Sequence, residues 1–186
     1  MGERERDAMQ NVEYKAELRD HELAHAIARS IGARHVAQLW QVDTYFRLAH
    51  GRLKRRETEG YPPEFIHYHR SDTSRARVSD FTIYTENQAF ERFGSLPIDP
   101  WVIVRKVRDV YLLGHIRIHL DQVERLGHFV EFEALVLPSH ALSACHEGVE
   151  RLRQAFAPVL GEPLSLSYSD LLAMEPELPP AAEPPV

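Results

Sequence analysis

The chain has 186 residues, 44% of them hydrophobic and 27% charged, which fits one folded domain and excludes a disordered or fibrous polypeptide. Its single cysteine, Cys145, excludes an internal disulfide framework and a thiolate zinc cluster, and no apolar run reaches the length of a membrane span. The net charge of −6, from 22 Lys and Arg against 28 Asp and Glu, argues against nucleic acid as a partner, since that role goes with an excess of basic residues.

In chain order, residues 1–9 are charged and lack the apolar stretch of a secretory signal, so they read as a flexible segment of a cytoplasmic protein. Residues 11–18 alternate, with Val12, Tyr14, Ala16 and Leu18 opposite Asn11, Glu13, Lys15 and Glu17, the pattern of a strand. Asp20 is a helix N-cap for 21–31, whose apolar stripe is Leu23, Ile27 and Ile31. That helix opens on His21-Glu22-Leu23-Ala24-His25, a literal H-E-x-x-H of the kind that binds zinc in metalloproteases. A helical projection puts both histidines opposite the apolar stripe, facing solvent, and no third-ligand pattern follows, so zinc proteolysis is not the reading adopted.

Further alternation gives strands at 38–46, 51–56, 65–70, 81–85, 101–108, 115–121 and 128–136, about eight in all, with helices at 86–93 and 140–156. Trp40 and Phe46 are expected in the core, and Cys145 is expected to pack inside the last helix. The six residues 122–127, ending in Leu126-Gly127, join the last two strands as a hairpin. His67 with His69, and His115 with His119, share strand faces; local hydrogen bonding or a place in solvent is the reading for them, with a histidine metal site as a minor alternative. No Lys or Arg follows Arg153, and residues 162–186 carry −5 of the net charge, leaving the rest of the chain near balance. From Glu175 the sequence is Pro, Glu and Ala, a flexible tail, so 10–174 is the expected domain.

The strands carry charge on one face in a sorted way. Arg52, Lys54 and Arg56 share a face, as do Lys106 and Arg108; Glu131 and Glu133 share another, as do Arg117, His119 and Asp121. On an open antiparallel sheet such a face would be wet. A closed barrel would instead bring acids and bases together on an interior. Buried charge is costly unless paired or metal-bound, so that interior implies a polyanion with divalent ions.

These residues resemble a known family. Glu13-Tyr14-Lys15, Gln41-Val42-Asp43-Thr44-Tyr45-Phe46, Gly51-Arg52-Leu53-Lys54-Arg55-Arg56, Tyr68-His69-Arg70, Lys106-Val107-Arg108 and the run from Arg117 to Glu133 resemble the CYTH superfamily, the triphosphate tunnel metalloenzymes. The run 117–133 and Ser167-Tyr168-Ser169-Asp170-Leu171-Leu172 look most like the class IV adenylate cyclase branch. The resemblance implies an α+β fold, an eight-stranded antiparallel closed β-barrel forming a triphosphate tunnel, with flanking helices. It implies Mg²⁺ or Mn²⁺ held by Glu13, Glu131 and Glu133, with Asp121 as an additional ligand. Substrate would lie against Arg52, Lys54, Arg56, Tyr68, Arg70, Lys106, Arg108, Arg117, Asp43 and Tyr45. Lys15, Lys106 and Arg117 would act in the reaction itself. The substrate would be ATP, giving cyclic AMP and pyrophosphate, or else tripolyphosphate or thiamine triphosphate undergoing hydrolysis. A non-catalytic triphosphate-binding module is the remaining reading, and the class IV branch implies a homodimer. One departure stands out: the family's first acidic position is Asn11 here, an oxygen ligand without charge.

Overall fold

The computed structural model describes residues 9–48, 50–70, 75–94 and 99–175. The alternating segments become β1 (Met9–Leu18), β2 (Arg34–Arg47), β3 (Arg52–Thr58), β4 (Glu64–Arg70), β5 (Arg77–Tyr84), β6 (Val102–Leu113), β7 (Ile116–Val123) and β8 (Gly127–Leu135). Between and after them lie α1 (His21–Ser30), α2 (Glu86–Phe93), α3 (Leu142–Phe156), the short β9 (Leu160–Pro163) and α4 (Tyr168–Met174). The sheet runs β5-β4-β3-β2-β6-β7-β8-β1, all antiparallel, and β1 pairs back onto β5 with Glu13 opposite Arg77. That pairing closes an eight-stranded barrel and leaves no open edge between its first and last strands. The short β9 extends the far end of β1.

Closure turns the period-2 pattern into an inside and an outside. Val12, Tyr14 and Ala16 of β1, Ile116, Ile118 and Leu120 of β7, and Val130, Phe132 and Ala134 of β8 form the main apolar core outside the barrel wall. Helix α3 covers them with Cys145, Val149, Leu152 and Phe156, and Phe132 meets Phe156 at 5.1 Å between ring centroids. Each fully buried side chain of this size contributes roughly 1.5–3 kcal/mol. Gly148 sets how closely α3 sits, because a Cβ there would collide with Ile116. A second cluster, Tyr45, Val104, Val123, Phe129, Tyr168 and Leu172, lies where β2, β6, β7 and β8 begin or end together, so α4 closes that end of the barrel. Ser167 and Asp170 start α4 with a reciprocal capping box.

The structure departs from the sequence expectations in four places. The β7–β8 hairpin loop is only 124–126, with Arg125 at φ +70° and Gly127 at φ +102°, a conformation that glycine adopts without strain. Trp40 is 61% exposed, because it lies on the face of β2 opposite Leu39 and Gln41, which line the interior. Neither β9 nor α4 shows a period long enough to be legible from sequence. The fourth concerns α1. Asp20 does cap it, accepting from the Leu23 amide at 2.9 Å, and Ile27 and Ile31 pack against the core, but the fully buried positions are Ala24 and Ala28, while Leu23 is 43% exposed. His21 and His25 therefore lie against the barrel wall and not in solvent. Small Ala24 and Ala28 let the helix approach, and the outward side chains of β6 offer the imidazoles polar partners. Among the described residues no helix is long and apolar enough to cross a membrane. The expected flexible ends, 1–9 and 175–186, lie outside the described residues except for Met9, which begins β1, and Glu175, which follows α4.

Candidate active site

The barrel interior holds a cavity of about 430 Å³, lined by the polar faces of the strands. Around the barrel β3, β2 and β6 stand together, and β8 and β1 stand across from β3 and β2. The first group supplies Lys54, Arg56, Lys106 and Arg108, and the second supplies Glu131, Glu133, Glu13 and Asn11. Arg117 and His119 of β7 lie between them on the wall, and Lys15 sits beside Glu131. At the closed end the Lys15 ammonium lies 4.0 Å from the centre of the Tyr168 ring and that of Lys106 lies 5.7 Å from it. Toward the other end the lining includes Leu39, Ile83 and Val110, which continue into a neighbouring depression walled by Tyr61, Pro62 and Pro63.

Two buried aspartates organise the basic wall. Asp43 is wholly buried and receives Arg56 through two bonds of 2.7 Å, Lys106 at 2.9 Å and Lys54 at 3.1 Å. Burial alone would raise its carboxyl, but Arg56, Lys106 and Lys54 outweigh that and hold it well below the usual range. Asp121 grips Arg108 through two bonds of 2.6 Å and accepts from the Tyr168 hydroxyl at 2.8 Å. Its burial is likewise overcome by Arg108, leaving a pKa of about 2. The cations feel the reverse pressure: burial drives Lys106 well below its ordinary value, and burial with Arg56 nearby lowers Lys54 to about 8.

The acidic wall is built by register. Glu13 on β1 stands directly opposite Glu133 on β8, and Lys15 opposite Glu131. Like charges on a cross-strand pair lie about 5 Å apart at Cβ and repel unless a cation intervenes. Here Arg77 donates to Glu13 at 2.8 Å, while Asn11 Nδ2 at 2.6 Å and Arg117 at 3.2 Å donate to Glu133. Glu131 accepts from Arg108 at 2.8 Å and lies 3.5 Å from Lys15 and from His119 Nδ1. Burial would raise its carboxyl, but Lys15 and Arg108 prevail and lower it. Asn11 Oδ1 is buried and has no hydrogen-bond partner.

Most of the residues singled out from the sequence thus converge. Glu13, Lys15, Tyr45, Lys54, Arg56, Tyr68, Lys106, Arg108, Arg117, Glu131 and Glu133 all line the one cavity. Asp43 and Asp121 sit behind the lining with both oxygens of each engaged, so Asp121 is placed to orient Arg108 and Tyr168, not to meet a ligand. Arg52 reaches the α4 capping box, donating to Asp170 at 2.6 Å and to Ser167 at 2.9 Å. Arg70 ends β4, and its side chain lies outside what the structure describes. Among the residues of the site that were not sequence candidates, two act directly on the acidic wall. Arg77, 4% exposed, holds Glu13, a contact created by the β1–β5 closure and invisible in either segment alone. His119 faces the cavity beside Glu131, which its shared parity with Arg117 already indicated.

The sequence profile of the CYTH domain matches residues 9–155. The chain belongs to the CYTH family. No curated protein matches it at a significant level. Among solved structures, this CYTH protein is similar to the PH1012 protein of Pyrococcus horikoshii OT3, with a TM-score of 0.69 at 19% identity, covering 87% of this chain and 98% of that one. A proposed adenylate cyclase from Vibrio parahaemolyticus gives 0.66 at 20% identity over 88% and 97% of the two chains. A proposed adenylyl cyclase from Hippeastrum, whose dominant activity is as a triphosphatase, gives 0.54 at 16% identity over 87% and 94%. These likenesses establish the shared barrel fold of the CYTH protein.

Proposed function

We propose that this CYTH protein is a metal-dependent, triphosphate-processing tunnel enzyme that converts ATP to cyclic AMP and pyrophosphate, in the manner of a class IV adenylate cyclase. The observation that carries the reading is the sorting of one interior into a basic wall, an acidic wall and an apolar mouth. A triphosphate needs the first, its divalent cation the second, and an organic group such as a nucleobase the third. The designation of the Vibrio parahaemolyticus neighbour points the same way.

The donor set fits Mg²⁺ or Mn²⁺. Glu13 and Glu133 face one another, Glu131 stands beside them, and the unpartnered Asn11 oxygen supplies a fourth hard donor. Each carboxylate leans on its own cation or amide and the group does not converge on a point. That suits an ion that keeps several waters and shares phosphate oxygens, not one enclosed by protein alone. When bound, an ion held by Glu13, Glu131 and Glu133 would supply positive charge that offsets that of the phosphates.

The chain's own residues would divide the remaining work. Lys54, Arg56 and Lys106, now collected on Asp43, can turn to the phosphate oxygens at the cost of sharing that carboxylate. Arg108, whose Nε and Nη2 are locked by Asp121, would present its Nη1 in a fixed orientation, and rigidity of this kind lowers the reorganisation needed in the transition state. Since Lys15 and Lys106 lie at the Tyr168 end, the phosphates would enter first and the base would rest near Leu39, Ile83 and Val110. In cyclisation the ribose 3′-oxygen bonds to the α-phosphorus, the bond to the bridging oxygen breaks, and pyrophosphate leaves with the charge that Lys106 and Arg117 compensate. The hydroxyl proton passes to solvent or to the leaving group.

A panel of ATP, tripolyphosphate and thiamine triphosphate with Mg²⁺ or Mn²⁺ tests this reading, with cyclic AMP, pyrophosphate and free phosphate measured separately. Cyclic AMP with an equal amount of pyrophosphate is the expected product pair from ATP. Free phosphate from tripolyphosphate or thiamine triphosphate, without cyclic AMP from ATP, would replace it with the second reading, a triphosphatase. That reading is favoured by Asn11, which removes one negative charge from the metal set, and by the activity named for the Hippeastrum neighbour. Binding of all three without turnover would leave a triphosphate-binding module.

Lys54 gives the free enzyme a pH dependence. Its lowered value of about 8 means that its charge, and its hold on phosphate, fades as the pH rises through that value. The profile of kcat/KM should therefore fall above about pH 8, while kcat changes less because bound triphosphate restores the proton. Lys54→Arg should remove this alkaline limb; an unchanged limb in that variant would assign it to another group.

A further inference from the structure

Outside the barrel, α1 and β6 bring together three side chains that the tunnel chemistry does not use. His21 and His25 of the H-E-x-x-H segment lie one turn apart on α1, their rings 4.6 Å apart at the centroids, and Asp109 of β6 faces them. One donor atom from each of the three lies within 4.8 Å of those of the other two. The spacing along α1 supplies two imidazoles and the register of β6 supplies the carboxylate that the linear sequence did not announce. We propose that His21, His25 and Asp109 form a binding site for Zn²⁺ on the outer wall of the barrel, separate from the tunnel.

The surroundings hold the donors in ligating orientation. His25 Nε2 points at Asp109 Oδ2, 3.8 Å away, while its Nδ1 lies 2.7 Å from the Tyr111 hydroxyl oxygen. The other oxygen of Asp109 lies 2.8 Å from His35 Nε2, and Gln38 donates weakly to both. A ring nitrogen or carboxylate oxygen fixed on one side in this way is the usual support of a metal ligand. His21 Nε2 is buried with no hydrogen-bond partner, and so is Nδ1 of the adjacent His128, whose ring lies 4.6 Å from that of His21. Two orphaned imidazole nitrogens in one place cost free energy unless a Lewis acid or a proton meets them. Donors around tetrahedral zinc, with bonds of about 2.0–2.1 Å, sit about 3.3 Å apart. The His25–Asp109 pair at 3.8 Å must therefore close by about half an ångström, and no pair, all lying within 4.8 Å, by more than about one and a half, within reach of side-chain rotation. Two imidazoles and a carboxylate match zinc better than Mg²⁺, which prefers oxygen alone. The three ligands leave a fourth position for water or for His128.

The test is metal binding by the full chain after removal of metal with a chelator, using Zn²⁺ and, as a visible probe, Co²⁺. One tight equivalent is expected, with the absorption of a nitrogen–oxygen Co²⁺ site. His25→Gln, His21→Gln and Asp109→Asn should each weaken it at least about a hundredfold, and Tyr111→Phe by about tenfold. Glu131→Gln, which alters only the tunnel, should leave it unchanged. Zn²⁺ should also raise the Tm of the unaltered protein and of Glu131→Gln but not that of His25→Gln, whose folding is checked by circular dichroism; His21→Gln serves if that variant does not fold. No binding at micromolar Zn²⁺, equal binding by the three ligand variants, or loss in Glu131→Gln with retention in His25→Gln would overturn the proposal.

Discussion

Glu131→Gln and Glu133→Gln should each lower metal-dependent turnover by roughly a thousandfold, about 4 kcal/mol of transition-state stabilisation at 1.36 kcal/mol per factor of ten. Each substitution keeps the side chain's size and one oxygen while removing the charge that a divalent ion requires. The fold should tolerate both. Arg108 keeps both hydrogen bonds to Asp121 when Glu131 is neutral, and Arg117 is 52% exposed, so losing Glu133 leaves it in water. Steady-state rates across a Mg²⁺ or Mn²⁺ titration, with Tm measured alongside, separate a lost ligand from a lost fold. If saturating metal restores the rate, the carboxylate serves affinity alone; full activity in both variants at all metal concentrations would remove these residues from the metal set.

Asp43→Asn should instead act on stability. Three cations converge on this one buried carboxylate, and a neutral amide leaves their charge uncompensated inside the barrel. Removing one partner from such an arrangement costs about 3–5 kcal/mol, a large share of the roughly 5–15 kcal/mol that holds a domain together. Denaturant titration should give a lower midpoint with an unchanged slope. Tripolyphosphate should then stabilise the variant more than the unaltered protein, because the anion supplies the missing charge. A loss below about 1 kcal/mol would mean that solvent, not Asp43, balances these cations.

Both effects arise from a sorting of charge that the sequence partly exposed. Strand parity alone grouped Lys54 with Arg56, Lys106 with Arg108 and Glu131 with Glu133, because in a strand every second side chain shares a face. It could not say whether that face was wet or enclosed. The answer depended on β1 meeting β5, a pairing between segments more than 60 residues apart, which also delivers Arg77 to Glu13. Parity likewise put Asp121 on the same face as Arg117, yet depth along the barrel separates what the two side chains do. Near the closed end Asp121 meets Arg108 and Tyr168, not the cavity. The CYTH motifs named most of the lining but not which side chains face a ligand and which face one another.

The same limit applies to α1. Hydrophobic periodicity chose Leu23, Ile27 and Ile31 as its inner face; Ile27 and Ile31 do pack against the core, but the helix is centred on buried Ala24 and Ala28, which leaves Leu23 out and puts His21 and His25 against the wall. Periodicity measures apolar character along one helix, and docking also depends on what the opposing surface offers. Here that surface carries Asp109 and Tyr111, so imidazoles fit it and the larger Leu23 is left 43% exposed. By itself, then, the sequence determined the eight barrel strands, most helix positions, the charge carried by each face and the family. Only the tertiary structure decided which charges are buried together, which of them are already paired, and that Asp109 lies beside the two histidines, because each depends on distances between residues far apart in the chain.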